Sequence, residues 1–205
     1  MTKILDINDI ETYWLDIIKS NKELIIATVV TKDISNNWSF IYRDKIIRLL
    51  APSPVKILKI EYDKFHCEEI SKKSHNKNGY LPIHAVMIND LLNILNDESF
   101  CLLIDIDAFP LTKESIKISF ITAYLQGVNG NLQRTNCLDN SEHLFIAESF
   151  MCFNTKILKA LGENAWRVNK RSDVSEEITW LHPEFLSKNN FVEFSSFFIV
   201  IDEGC

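Results

Sequence analysis

The chain alternates between short apolar runs and segments whose apolar residues recur at helical spacing. Residues 23–31 and 100–106 are almost continuously apolar, a pattern typical of strands that are covered on both faces of a sheet. Between them, Met87, Leu91 and Leu95 fall on one face of a predicted helix. Strands and helices in this order predict an α/β fold with a parallel sheet.

The same reasoning predicts the other elements. The spacing of Ile10, Trp14 and Ile17 predicts the first helix, with Asn8 or Asp9 as its cap. Further helices are predicted around 112–125, 155–161 and 174–181, and further strands at 55–62, 144–147 and 191–201.

Two parts of the first half are less regular. The apolar pieces 39–42 and 45–50 are too short to decide between helix and strand, and Pro52 and Pro54 force a break before the next strand. Residues 64–79 are polar and rich in Lys and Asn, which predicts a mobile loop. Such a loop could close over a ligand as a lid, or it could have no function.

The composition favours one globular domain. The 205 residues are 46% hydrophobic and 24% charged, with a formal net charge of −6. The chain is too apolar for disorder, and its acidic balance makes duplex nucleic acid an unfavourable partner. Its apolar runs are far shorter than the roughly 20 residues of a membrane span, and the first residues lack the features of a secretory signal. We therefore expect no membrane span and a cytoplasmic location.

The cysteines and glycines disfavour several kinds of site. The five cysteines never form a CxxC pair, which argues against a disulfide framework and against a zinc site. None of the five glycines lies in a GxGxxG or GxxxxGK[ST] sequence, so neither phosphate loop would hold a nucleotide. A divalent metal held by carboxylates is the obvious substitute for meeting phosphate charge.

Two aspartates give the sharpest chemical signal. Four apolar residues lead into Asp105 and Asp107 at the carboxyl end of a predicted central strand, where α/β sheets bind ligands. Being two residues apart, both are expected to point to the same side, and their oxygens suit Mg²⁺ or Mn²⁺ bound to phosphates. Alternatively, one caps the helix that begins near Thr112 and the other is solvated. Repulsion between two poorly hydrated carboxylates favours the metal site.

Three segments in a fixed order place these aspartates in a wider pattern. They are LIDIDAFPL at 103–111, GVNGNLQRTN at 127–136 and HLFIAESFMCF at 143–153. In order and spacing they resemble the GT-A type nucleotide-diphospho-sugar transferases, and the similarity covers about residues 82–181. The resemblance implies one Rossmann-like, mostly parallel sheet flanked by helices. It also implies a donor-nucleotide half at 1–107 and a short acceptor and catalytic half at 108–205.

The resemblance further implies roles for individual residues. In such enzymes the aspartates of the DxD sequence bind a divalent metal that holds the donor diphosphate. This assigns Asp105 and Asp107 to Mn²⁺ or Mg²⁺, and Asp105 also to the nucleoside-diphosphate sugar. Gln133 and Asn136 are placed like groups that contact a donor or acceptor sugar, with a surface loop as the alternative. The acceptor is unknown.

The segment 171–181 resembles the acidic helix start at which many such transferases keep a catalytic carboxylate. Asp173 and Glu176 also have the spacing of a capping box, which is the structural alternative for both. Glu177 lies at the edge of the predicted apolar stripe, where partial burial would favour a general base. In an inverting reaction, Glu177 or Asp173 would deprotonate the acceptor hydroxyl. The stereochemical outcome stays open.

Three other polar residues are weaker candidates. His84, near the start of a predicted helix, could approach the donor, although a lone helical histidine is more often packed or solvated. Ser149 follows Glu148 at the end of the predicted strand 144–147. Both could line the cleft, and a capping role is an equal alternative for Ser149.

Two other functions stay open. An apolar strand followed by DxD also occurs in the haloacid-dehalogenase phosphatases, where the first aspartate, here Asp105, is the nucleophile and the second, Asp107, the acid or base. That class has Thr or Val two residues beyond the second aspartate, whereas this chain has Phe109. The other alternative is a domain of the transferase fold that binds a nucleotide sugar or a partner protein without turnover.

Overall fold

A five-stranded sheet forms the centre of the protein. The structure, a computed structural model, describes residues 7–134, 143–170 and 172–181. The strands are β1 (Leu24–Thr31), β2 (Lys56–Tyr62), β3 (Phe100–Ile104), β4 (Val128–Arg134) and β5 (Leu144–Asn154). The helices are α1 (Ile7–Lys19), α2 (Lys32–Ser35), α3 (Trp38–Leu50), α4 (Lys64–Lys73), α5 (Ile83–Ile94), α6 (Lys113–Gln126), α7 (Thr155–Leu161) and α8 (Glu176–Leu181).

The sheet is mixed, and its strand order is β2-β1-β3-β5-β4. β1 pairs in parallel with β2 on one side and with β3 on the other, whereas β5 is antiparallel to both of its neighbours. β4 therefore runs in the same direction as β1, β2 and β3. The prediction of an α/β fold with one mostly parallel sheet flanked by helices is confirmed, and β5 is the exception among the described strands.

Helices cover both faces of the sheet. All eight residues of β1 are buried, as its continuous apolarity predicted. Ile25, Ala27 and Val29 belong to a core that includes residues of α4, α5, α7 and α8. Leu24 and Ile26 belong to a second core, with residues of α1, α3 and α6. Because successive strand residues point to opposite faces, the two cores lie on opposite sides of the sheet. Among the described residues, no helix has the length and apolarity needed to cross a membrane.

The prediction of a loop at residues 64–79 is wrong over most of its length. α4 occupies the first ten of these residues and begins after Asp63, whose carboxylate accepts from the N–H of His66 at 3.0 Å. Cys67 is buried and anchors the helix in the core. The helix could not be predicted from its composition, because it has a single buried side chain, Cys67, and therefore no apolar stripe. The two short pieces at 39–42 and 45–50 likewise form part of one helix, α3.

Several element boundaries also differ from the predictions. The strand predicted at 100–106 ends at Ile104, because Asp105 begins a turn in which its C=O accepts from Ala108 at 3.2 Å. β5 extends well beyond the predicted 144–147, so Glu148 and Ser149 lie within a strand rather than at its end. The helices predicted at 112–125 and 155–161 are confirmed as α6 and α7. The strand predicted at 191–201 lies outside the described residues.

Candidate functional site

A cavity lies at the point where the strand order of the sheet reverses, between β1 and β3. From β1 the chain first adds β2 on one side and then β3 on the other. Crevices beyond the carboxyl ends of strands at such a switch point are the usual ligand sites of open α/β sheets. Here the cavity has a volume of about 330 Å³ and is lined by residues 29–31 of β1 and by Asp105 and Ile106 after β3. We call it the switch-point cavity.

Charged and titratable side chains of both signs line the switch-point cavity. They are Asp33, Lys64, His84 and Asp105. A hydrogen bond from the Thr31 side chain holds the pKa of Asp33 below its usual range. The cavity therefore offers a lysine and a histidine that suit phosphate oxygens, together with two carboxylates.

A buried arginine holds the turn that carries both aspartates of the DxD sequence. Arg43, on α3, is 4% exposed. Its Nη2 donates to the carbonyl oxygens of Ile104 at 2.7 Å and Asp105 at 2.6 Å, and its Nε donates to that of Ala108 at 2.8 Å. Burial lowers the pKa of Arg43 to about 10, and attraction to Asp105 and Asp107 opposes this shift. The guanidinium thus fixes the backbone from which the two carboxylates project.

The two aspartates are not equally placed. Asp105 lines the switch-point cavity, whereas Asp107 is exposed and does not line it. The expectation that both point to the same side is therefore not met, because β3 ends at Ile104 and strand alternation does not continue through the turn. The Oδ1 of Asp105 accepts from the N–H of Ile106 at 2.7 Å. Ser149 contributes its carbonyl oxygen, which accepts from the N–H of Asp105 at 2.9 Å. Ser149 therefore positions Asp105 through its backbone, and it does not line the cavity.

His84 lies between two carboxylates. Its Nε2 is 3.8 Å from Oδ1 of Asp105, and its Nδ1 is 3.9 Å from Oε1 of Glu148. These separations are too long for hydrogen bonds but short enough for attraction when the imidazole is protonated. The Nε2 atom is buried and has no hydrogen-bond partner among the described residues. A buried polar atom without a partner is a position at which a ligand can bind.

Glu148 lies beside His84 and is a further candidate for acid–base chemistry. Burial raises the pKa of its carboxyl, while the hydrogen bond of Ser175 and attraction to His84 act in the opposite direction. The Oγ of Ser175 is 2.8 Å from Oε2 of Glu148. The sequence signal for this role is the position of Glu148 inside a mostly apolar strand, because buried carboxylates are rare unless they are paired.

Glu177 lines a different and larger cavity. Its side chain is buried, and its Oε1 accepts from Nδ2 of Asn169 at 2.8 Å and from the hydroxyl of Ser172. This cavity has a volume of about 870 Å³ and is also lined by residues 75–80 and 167–170. We call it the hairpin cavity, because residues 76 and 79 pair with each other in a tight hairpin. Glu177 is 6% exposed, which is more complete than the partial burial considered for a general base, and Asp105 does not line the hairpin cavity.

The capping box predicted for Asp173 and Glu176 is present only in part. The Oε2 of Glu176 accepts from the N–H of Asp173 at 2.9 Å, as predicted. The prediction for Asp173 is wrong, because α8 begins at Glu176 and the carboxylate of Asp173 accepts from the N–H of Val174, at 2.7 Å, before the helix. Asp173 lines neither of the two cavities.

The residues predicted to contact a sugar are not brought to either cavity by the described structure. Gln133 is exposed in β4, where it pairs with Phe145, so the alternative of a surface loop is wrong for this residue. It lines neither cavity. Asn136 lies outside the described residues. A strand forms at Gln133 because β5 offers a pairing partner that local sequence does not reveal.

A metal ion at this site would have to share its coordination with a substrate. Within the described ranges, no three His, Cys, Asp or Glu side chains are grouped so that they could hold a metal by themselves. Mg²⁺ is commonly held by one or two protein carboxylates, with substrate phosphates and water completing its coordination. Asp105 lines the cavity as one carboxylate of this kind, whereas Asp107 lies outside it.

Comparison with other proteins identifies no family for this chain. No family model matches it, and no curated protein gives a significant match. What the structure defines is a class of site: a ligand cavity beyond the carboxyl ends of the parallel strands of an α/β sheet.

Proposed function

We propose that the protein is a metal-dependent glycosyltransferase that moves a sugar from a nucleoside-diphosphate sugar to an acceptor. The observation that carries the proposal is the position of Asp105, which follows β3 and lines the switch-point cavity. The cavity volume of about 330 Å³ is in the range of small-molecule sites. The DxD sequence adds Asp107 as a second carboxylate on the same turn.

The lining of the switch-point cavity suits the different parts of such a donor. Lys64 and His84 offer N–H groups to phosphate oxygens. The ionised carboxylate of Asp33 can accept hydrogen bonds from hydroxyl or amino groups of the nucleoside. Asp105 and Asp107 would hold a divalent cation, which would neutralise the charge that develops on the leaving diphosphate.

In the proposed reaction, the bond between the anomeric carbon and the diphosphate oxygen breaks, and its electron pair leaves with the nucleoside diphosphate. A new bond forms between that carbon and a hydroxyl oxygen of the acceptor, whose proton passes to a base. For an inverting reaction, Glu177 and Asp173 are the sequence-based candidates for this base. Glu148 is a third, because its buried carboxyl has a raised pKa and His84 lies between it and Asp105.

The proposal is tested with the full chain, a panel of nucleoside-diphosphate sugars, and Mn²⁺ or Mg²⁺. We expect release of nucleoside diphosphate with either cation and no release in the presence of a chelator. Asp105→Asn and Asp107→Asn should each abolish release. Asp97→Asn is the matched control. Asp97 pairs with Lys159 and precedes the amino end of β3, whereas Asp105 follows the carboxyl end. Full activity of Asp107→Asn would end the proposal.

A binding domain without turnover is the second candidate function. It is favoured by the exposure of Asp107, which does not line the switch-point cavity. In that case a nucleoside diphosphate with Mn²⁺ raises the melting temperature by linkage, but no sugar is transferred or hydrolysed. Release of inorganic phosphate from a phosphomonoester, with no release from sugar donors, would instead support the phosphatase alternative.

A further inference from the structure

The hairpin cavity has more than twice the volume of the switch-point cavity, at about 870 Å³ against about 330 Å³. Two chain segments form most of its walls, residues 75–80 and residues 164–170. Glu177 of α8 completes the lining. Apart from Glu177, no residue of this cavity has a role in the proposed donor chemistry.

The two walls of the hairpin cavity are tied to each other. Tyr80 and Val168 exchange backbone hydrogen bonds of 3.0 and 2.9 Å. Arg167 is 4% exposed, and its Nη1 donates to the carbonyl oxygens of Ser74 at 2.7 Å and Gly79 at 3.3 Å. These bonds connect the walls without help from a ligand. The cavity is therefore preformed, which reduces the entropy lost when a ligand binds.

Four side-chain amides line this cavity. They belong to Asn76, Asn78, Asn164 and Asn169. Asn78 and Asn164 are exposed, and the Oδ1 of Asn76 accepts from the N–H of Asn78 at 2.7 Å, which orients that amide. Each amide offers two donors and one acceptor. Neighbouring hydroxyl groups on a sugar ring need donors and acceptors close together, and paired amides supply them.

The remaining lining contains charged and aromatic side chains. Lys77 and Lys170 are exposed, whereas the carboxylate of Glu177 is buried and accepts two hydrogen bonds. Large apolar side chains are few, which disfavours a lipid chain. The exposed ring of His75 stacks on Tyr80 with centroids 4.9 Å apart and planes at 5°. This flat aromatic surface beside the amides suits the C–H face of a sugar ring.

Short connections link the two cavities. Tyr80 lines the hairpin cavity, and His84, four residues further on, lines the switch-point cavity. On the opposite element, Ser175 contacts Glu148 beside His84 and lies two residues before Glu177. Residues that line the hairpin cavity therefore lie close in the chain to His84 of α5 and to Ser175, which contacts Glu148.

We propose that the hairpin cavity binds a saccharide, and that this saccharide is the acceptor of the transferase. The first part stands on the lining of the cavity, and the second part rests on the proposed function. The acceptor class is thus a glycan with several free hydroxyl groups, rather than a lipid chain or a duplex nucleic acid.

The test is binding of the full chain to an array that carries neutral oligosaccharides, acidic oligosaccharides and peptides. We expect binding to oligosaccharides, with affinity lowered roughly tenfold by the double substitution Asn78→Ala and Asn164→Ala. Asn93→Ala is the matched control, because Asn93 is exposed and lines neither cavity. Binding to peptides alone, no binding, or saccharide binding that the double substitution leaves unchanged would overturn the proposal. If the double variant unfolds at a lower temperature, the single substitution Asn164→Ala replaces it in the binding test. We then expect half of the loss in binding free energy.

A second measurement separates this inference from the proposed function. Release of nucleoside diphosphate by hydrolysis, without an acceptor, should be the same in the double variant and the unmodified chain, because neither asparagine lines the switch-point cavity. Donor release without saccharide binding would overturn the cavity assignment and leave the proposed function intact. Saccharide binding without donor release would support the cavity assignment and overturn its role as an acceptor site.

Discussion

Arg43 is bound directly to the backbone of Asp105, through a hydrogen bond of 2.6 Å from Nη2 to the carbonyl oxygen. The same guanidinium reaches the carbonyl oxygens of Ile104 and Ala108, so one side chain of α3 spans the turn after β3. Because Arg43 is buried, its loss would remove buried hydrogen bonds from three main-chain oxygens of this turn. The position of the candidate metal ligand therefore depends on a residue 62 positions earlier in the chain.

Replacing Arg43 should destabilise the fold and disturb the candidate site together. We expect Arg43→Met to lower the free energy of unfolding by on the order of 3 kcal/mol, and Arg43→Lys to recover part of that loss. Urea unfolding measures this effect. Arg48→Met is the control, because Arg48 is half exposed and pairs with Asp44 within α3, an interaction of about 0.5 kcal/mol. Equal destabilisation by both methionine variants would contradict the role of Arg43.

The elements that could be predicted from the sequence are those fixed by local pattern. β1 and β3 are continuously apolar because both faces of the sheet are covered, and α7 is bounded by the cap Asn154 and by Gly162. Asp105 could be placed at the end of a strand for the same reason, since apolar residues lead directly to it. For these features, the local sequence contains the physical cause.

The features that could not be predicted depend on contacts between distant residues. Arg43 is one of several cations in its segment, and only the tertiary structure distinguishes it as the buried one. The direction of β5 and the strand at Gln133 arise from pairing between strands. The hairpin cavity depends on bonds from Arg167 to residues 88 and 93 positions away. No local periodicity encodes such contacts.

Stability should depend on pH through Glu148. Burial raises the pKa of this carboxyl above its ordinary value of 4.5, so the folded state disfavours its charged form. Below that ordinary value the carboxyl is protonated in the folded and the unfolded state, so it does not lower the free energy of unfolding. As the pH rises above it, the unfolded state ionises first and the folded state loses stability. We therefore expect Glu148→Gln to raise the melting temperature at pH 7 and to have little effect at pH 4.

The control for this pH series is Glu98→Gln. A hydrogen bond from Lys22 lowers the pKa of Glu98, so this acid contributes stability above its ordinary pKa and loses it as the pH falls. The two substitutions should therefore shift the melting temperature in opposite directions at neutral pH. A Glu148→Gln variant that is less stable than the unmodified chain at pH 7 would show that the charged carboxylate is stabilised in the fold.

The two adjacent acids of α8 should have separable effects. Glu176→Ala removes the acceptor for the N–H of Asp173 and should cost about 1 kcal/mol of stability, as lost helix caps do. Glu177→Gln keeps a side-chain oxygen for Ser172 and Asn169 and should change stability less. If Glu177 is the base, its substitution lowers the rate of transfer while donor binding is unchanged. Thermal unfolding and steady-state kinetics on both variants check this, and equal rates in the two variants would exclude Glu177 as the base.

The hairpin cavity should also depend on the absence of a side chain at residue 79. Gly79 has φ +105, and a Cβ at this position would lie 2.1 Å from the carbonyl oxygen of Val168. Gly162 has φ +67 and ψ −173 but would meet nothing within 4 Å, so Gly162→Ala tests the cost of a strained backbone alone, on the order of 1–3 kcal/mol. Gly79→Ala should lower the free energy of unfolding more, because it also forces the two walls apart.

Hydrogen exchange is the decisive measurement: we expect the amides of Tyr80 and Val168 to lose protection in Gly79→Ala and to keep it in Gly162→Ala. Equal protection in both variants would mean that the walls do not depend on this close approach.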